Sequence, residues 1–319
     1  MHRTATFRVE QGGAASQARV GTGERDAIAL GLDWVRGLVE VARAGRGSPD
    51  SPEAARRAYD EAREAARECG EPAPIDRLSA LFRLAPFDED LLLLAVAPQQ
   101  EASLGAFYAE LHDRAGATHA TPDLALKLLA RAGEEARRLA WARLAPDAPL
   151  RRWALVHIED APLSALSSVS LDERVARFLL GEDYLDPRVR AGLRPVHAGT
   201  CPERHGDAVE KLAGELAAAT RPAALVLGPR RSGRRAVARE VAARLGLALV
   251  EIRPQGLPPD PDVRRAHLAL VAREAALAGF AVLVDAAPTV RAGEESPQAL
   301  RECVEMEKQG LDGPAQSLW

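Results

Sequence analysis

From residue 206 onward, short unbroken apolar runs alternate with helical segments, and that order restricts the fold more than any other feature of the chain. The runs are AALVL (223–227), LALVEI (247–252) and FAVLV (280–284). Between them the pattern predicts one helix from Gly206 to Ala219, one near Arg234 to Leu245, and one capped by Asp260-Pro261 and running to Leu277. Strands that are apolar on both sides and separated by helices form βαβ units in a parallel sheet covered on both faces.

The turn between AALVL and the next helix reads Gly228-Pro229-Arg230-Arg231-Ser232-Gly233-Arg234-Arg235. Its two glycines and its strand-loop-helix setting match the phosphate-binding pattern G-x-x-x-x-G-K-[ST]. In such a loop backbone N–H groups point at phosphate oxygens and the positive end of the following helix assists, so ATP or ADP is the expected ligand of Gly228 to Arg235. The side chains are another matter. A lysine normally reaches the β- and γ-phosphates and a hydroxyl binds Mg2+, but these positions hold Arg234 and Arg235. Arg234 can still bond a phosphate, although its planar fork is bulkier than an ammonium. Asp285, just after FAVLV, stands where an acidic residue would face the metal, and Ala286 follows it where a general base would be needed. No catalytic residue is assigned.

The preceding part of the chain is helical. Residues 1–23 lack apolar periodicity, whereas Ile28, Leu32, Val35, Leu38, Val39 and Ala42 mark one face of a helix from Glu24 to Ala44. Ser51-Pro52 caps a second helix that stops at Gly70, and further helices are expected at 75–84, across PFDEDLLLLAVAP with Pro98 closing it, and at 103–114. Thr121-Pro122-Asp123 caps Leu124 to Ala130, a charged helix covers 134–144, and LRRWALVHIE (150–159) alternates like a strand that pairs with Ser164 to Ser170. A helix in SLDERVARFLLG then leads to a linker from Asp186 to Thr200. Helices followed by a small hairpin point to a winged-helix-like unit.

At this point the chain resembles a bacterial group of AAA-family P-loop ATPases in which a helical region and a winged-helix-variant domain precede the ATPase. The segments that carry the resemblance are FRLAPFDEDLLLLAVAP (82–98), TPDLALKLLA (121–130), LAPDAPLRRWALVHIED (144–160) and SLDERVARFLLGEDYLDPRV (170–189). Gly228, Gly233 and Asp285 match the family pattern; Arg234, Arg235 and Ala286 depart from it. The resemblance also implies a fourth strand with a polar sensor residue, a fifth strand, an arginine finger and a helical lid, none of which is recognisable after Asp285. The chain is therefore expected to be a truncated or frameshifted copy of a longer ATPase, with a degenerate module that serves regulation or assembly, self-association included.

The expected architecture is multidomain α and α/β, with N-terminal helices in 1–72, a helical and winged-helix-like domain in 73–195, and a partial P-loop parallel sheet with flanking helices in 196–319. Hydrophobic residues at 47% and charged residues at 28% fit a chain that folds, and a net charge of -4 gives no global basic field for nucleic acid or membrane. Cys69, Cys201 and Cys303 are too few and too far apart for a disulfide framework. With no apolar span and no secretory leader, a cytoplasmic location is expected. His112 with His119, and Cys201 with His205, lack the further ligands of a tetrahedral metal site. Two rivals remain: a non-enzymatic interaction or DNA-binding protein that uses the winged helix, with Arg137, Arg138, Arg151 and Arg152 as local positive charge, and a small P-loop kinase.

Overall fold

The computed structural model describes residues 22–44, 52–129, 134–159, 163–197, 200–218, 224, 226, 232–253 and 256–284. They fall in two compact units, one within Ala15–Tyr184 and one from Leu185 onward. Both are mostly helical, each with one small sheet.

In the first unit α1 (Thr22–Ala44) packs on α2 (Pro52–Glu68) and also touches α4 (Pro86–Gln100) and α5 (Ala102–Leu111). Ile28, Val35 and Val39, on the face that periodicity predicts, are buried. Gly31 lets the helices close up, since a Cβ there would lie 3.2 Å from both Leu93 and Tyr59. Polar groups join the same core. Arg63 on α2 is buried and donates from Nε to Asp76 Oδ1 at 2.9 Å and from a terminal nitrogen to Glu89 at 2.8 Å, which ties α2 to α3 (Pro74–Phe82) and α4.

Helix α4 is apolar all round from Leu91 to Ala97, and every one of those residues is buried. Pro98 does not close it; the helix continues to Gln100. A proline in a helix withholds one N–H from the carbonyl four residues back, here that of Leu94. The Tyr108 hydroxyl of α5 donates to that carbonyl at 2.9 Å, inside the core. Tyr108→Phe is therefore expected to leave a buried carbonyl without a donor and to cost about 1–3 kcal/mol in chemical denaturation. A cost near zero would mean that another donor reaches Leu94.

The remainder of the unit has the order of a winged helix. Ala120 forms an antiparallel bridge with Val169, then come α6 (Pro122–Leu129) and α7 (Glu134–Ala142), then the antiparallel pair β1 (Val156–Ile158) and β2 (Val169–Leu171) in the register His157 opposite Ser170. The sheet order is thus Ala120, β2, β1, with α6, α7 and a short third helix between the first and the last in sequence. Thr121 caps α6 as predicted, its Oγ1 accepting from Leu124 N at 3.1 Å. Asp172 caps α9 (Glu173–Leu179) by accepting from Arg174 N at 3.1 Å.

The strand expected over 150–159 is present only at 156–158. Residues 149–152 instead form a short helix, α8 (Pro149–Arg152). Pro149 presets the first helical position, and the buried Leu150 and Trp153 are three apart, a helical spacing that the apparent alternation concealed. Trp153 packs on Phe82 with ring centroids 5.3 Å apart.

In the second unit the first part of the linker expected over 186–200 is built into the fold. Asp186 caps α10 (Pro187–Arg190), and β3 (Leu193–Pro195) runs antiparallel to β4 (Ala248–Ile252), with Leu193 opposite Ile252. Strand β4 pairs in parallel with β5 (Phe280–Val284), matching Val250 to Val282. Helices α11 (Gly206–Ala218), α12 (Arg234–Arg244) and α13 (Pro261–Ala278) lie close to their predicted bounds. Asp260 caps α13 as expected, accepting from Asp262 N and Val263 N.

Side chains alternate across this sheet. Val250, Ile252, Phe280 and Val282 join one cluster with Val189 of α10 and Leu268, Val271 and Ala275 of α13. Leu249 and Ala281 join another with Val209 and Ala213 of α11 and Val237 and Val241 of α12. The sheet is thus covered on both faces, but only β4 and β5 are parallel among the described strands. The expected strand at 223–227 lies mostly outside the described residues, as does the segment from Asp285 onward, so the expected partial P-loop sheet is not seen here as a whole.

Candidate functional site

Two places carry the residues singled out by sequence. In the first unit, α7 is the second of the helices that follow Ala120, and Glu134, Glu135, Arg137, Arg138 and Leu139 on it are exposed. Arg138 is held by Glu135 at 2.8 and 2.9 Å, one turn back. The other arginines expected to provide positive charge are turned toward the protein. Arg151 donates to the Leu144 carbonyl at 3.2 Å, and the Arg152 guanidinium lies 5.7 Å from the Trp153 ring centroid. Arg143, from the turn after α7, grips the fully buried Asp88 of α4.

The unit also exposes two large apolar side chains. Leu139 on α7 is 59% exposed and Leu166, in the loop between β1 and β2, is 56% exposed. Across residues 15–184 Asp and Glu outnumber Lys and Arg, and 159–170 contain no basic residue. These features were missed in the sequence because a leucine in an amphipathic helix reads as core until its neighbours are known.

The second place is the start of α12. Gly228, Pro229, Arg230 and Arg231 lie outside the described residues, and so does Asp285. Ser232, Gly233, Arg234 and Arg235 are described. Gly233 caps α12 with φ 92° and ψ 11°, a left-handed conformation that favours glycine, and its carbonyl accepts from Val237 N at 3.0 Å. The Ser232 carbonyl accepts from His205 Nε2 at 3.0 Å, so a turn at Glu203–His205 braces the loop end. Beside that turn opens a cavity of about 610 Å³, lined by Cys201, Pro202, Glu203, Arg239, Glu240 and Arg244 among others.

Arg235, at the position of the metal-binding hydroxyl in the intact motif, forms an ion pair with Glu251 of β4. Arg253 donates from Nε to the same carboxylate oxygen at 3.0 Å, and the Glu251 side chain is 7% exposed. Sequence reading passed over Glu251 because it sits inside an apolar strand; a single acid there was the available signal. His112 Nε2 lies 3.3 Å from the His119 carbonyl, a structural contact. Among the described residues no cluster of His, Cys, Asp and Glu could hold a metal ion, and no helix is long and apolar enough to cross a membrane.

Comparison with known proteins agrees with the topology of the first unit. The family model described as winged helix domain, variant, matches residues 14–193. Neither the curated proteins nor the solved structures yield a match. The family match runs from before α1 to the first residue of β3 and covers more than half of the chain, so the chain belongs to the winged helix domain variant family.

Proposed function

We propose that the chain is a non-enzymatic interaction protein whose winged-helix unit offers α7 and the β1–β2 loop to a protein partner. The surface chemistry of α7 carries this reading. DNA-binding helix-turn-helix proteins place the N-terminal residues of this helix at base edges and neutralise phosphates with Lys and Arg. Here that end presents Glu134 and Glu135, Arg138 is engaged by Glu135, and the exposed Leu139 follows. A loop without basic residues adds no phosphate contact. Fluorescence anisotropy with a short duplex at low and physiological salt tests the choice: no saturable binding below about 10 μM is expected, given the usual range of non-specific affinities. Submicromolar binding that falls steeply with salt would establish the DNA-binding reading instead.

A second role, nucleotide binding by an AAA-type P-loop module, is favoured by one observation. Gly233 takes a left-handed turn into α12 at the end of a G-x-x-x-x-G pattern, beside a parallel strand pair. In this reading Gly228 to Arg235 hold the phosphates of ATP or ADP by backbone N–H groups. The module regulates or assembles a larger ATPase, and Ala286 stands where the general base would be needed. Calorimetric titration with ADP tests it, with binding expected at submillimolar concentration.

A further inference from the structure

Strand β3 lies at one edge of the described sheet, and its one charged residue, Arg194, is exposed. Arg194 stands directly opposite Glu251 of β4. Opposed residues of an antiparallel pair put their side chains on the same face, about 5 Å apart at Cβ. Arg253, two residues on from Glu251, points the same way and donates from Nε to its carboxylate at 3.0 Å. This is the face of Leu249 and Ala281, which α11 and α12 cover. From the first turn of α12 Arg235 reaches the same carboxylate. Arginines from β3, from the end of β4 and from α12 thus gather around Glu251, whose side chain is 7% exposed.

We propose that Arg194, Arg235 and Arg253 form a binding site for a phosphate monoester dianion, with Glu251 as the buried post that orients two of them. A buried carboxylate holds the cations that satisfy it, yet Arg235 and Arg253 keep 48% and 49% of their side chains exposed. The Arg194 guanidinium meets no acceptor among the described residues. One carboxylate balances only one of these charges, and each guanidinium carries five N–H donors. A carboxylate ligand would bring two oxygens and a single charge. A phosphate monoester brings three terminal oxygens and close to two charges at neutral pH, so it can bond all three arginines at once, and guanidinium-to-phosphate bonds are short, charge-assisted and often bidentate. The site uses none of residues 228–231 and stands whether or not the nucleotide-binding reading does.

The test is calorimetric titration of the whole chain with phenyl phosphate and with a neutral phosphoserine peptide, the same peptide without phosphate serving as control. Saturable binding of the phosphorylated probes is expected at about 1 mM or tighter, and none of the control. A phosphopeptide that binds more than about tenfold more tightly than phenyl phosphate assigns the site to a phosphorylated protein segment, and affinities within tenfold assign it to a small phosphorylated molecule; either result supports the site. Arg194→Gln removes an exposed donor and is expected to weaken binding about tenfold, with the far-ultraviolet circular dichroism unchanged. Unchanged affinity in that variant, or no saturable binding of either probe, overturns the proposal. Glu251→Gln makes the cluster more positive but releases Arg235 and Arg253, so weaker binding is expected; tighter binding would mean diffuse attraction in place of an oriented site. Neither probe has a base or a ribose, so failure here leaves the nucleotide reading to the ADP titration.

Discussion

Arg143→Ala is expected to lower the unfolding free energy of the winged-helix unit by about 3–5 kcal/mol, the usual cost of stranding a buried charge. Asp88, its partner, is fully buried in the first turn of α4, where it accepts from Ala85 N at 2.8 Å and from Arg143 Nε at 3.0 and 3.1 Å. Removing the arginine leaves the carboxylate in place without its cation. Asp88→Ala is expected to cost less, about 2–3 kcal/mol, because it forfeits a cap and a charge-assisted bond but leaves behind an Arg143 that reaches water. Arg143 is 30% exposed, against 0% for Asp88. Urea titration followed by tryptophan fluorescence reads this unit, which contains Trp34, Trp141 and Trp153. If the two variants cost the same, or the order is reversed, the asymmetry of burial does not control the pair.

In the second unit Arg273→Ala should have a comparable effect, about 3–5 kcal/mol. Arg273 and Glu274 of α13 are 0% exposed and Asp186 is 2% exposed; Arg273 donates to Asp186 at 2.7 Å and lies 3.4 Å from Glu274. Asp186 N lies 3.3 Å from Glu274 Oε2, so this cluster fixes the start of α10 against α13. Loss of the arginine leaves two buried carboxylates, with Arg188 still paired to Asp186. Burial by itself would raise the Asp186 carboxyl, but the side-chain and backbone hydrogen bonds of Arg188 and the charges of Arg188 and Arg273 outweigh it and hold the group below its ordinary value. Its contribution is therefore present above the unfolded carboxylate pKa of about 3.9 and is lost as pH falls through the lower folded value. Denaturation followed by far-ultraviolet circular dichroism, at neutral and acid pH, measures both. A cost below about 1 kcal/mol for Arg273→Ala would show that the cluster is solvated.

The parts of this fold that could be read from sequence are those set by local chemistry. Pro74, Pro86, Pro122 and Pro261 mark helix starts because their fixed φ suits the first turn. Strands β4 and β5 were legible because both their faces are buried, which leaves a continuous apolar run. What escaped depends on distant partners. Strand β3 has three residues, one of them proline, and it is extended because β4 offers an edge to it; Val196 N also donates to Leu249 O at 2.9 Å. Helix α4 passes through Pro98 because Tyr108, ten residues on, satisfies the carbonyl that proline leaves bare. The pairing of Arg235 with Glu251 has the same non-local character, and so does the exposure of Leu139, which no periodicity in α7 could foretell.

The central claim is that this winged-helix protein works by contact and not by catalysis, and phosphate release from ATP tests it most directly. With Arg234 and Arg235 in place of the lysine and hydroxyl, the purified chain is expected to release phosphate no faster than ATP in buffer, with or without magnesium. Turnover at about 1 s⁻¹ or more, the lower end of ordinary enzyme rates, abolished by substitution of Gly233 or Arg234, would contradict the account.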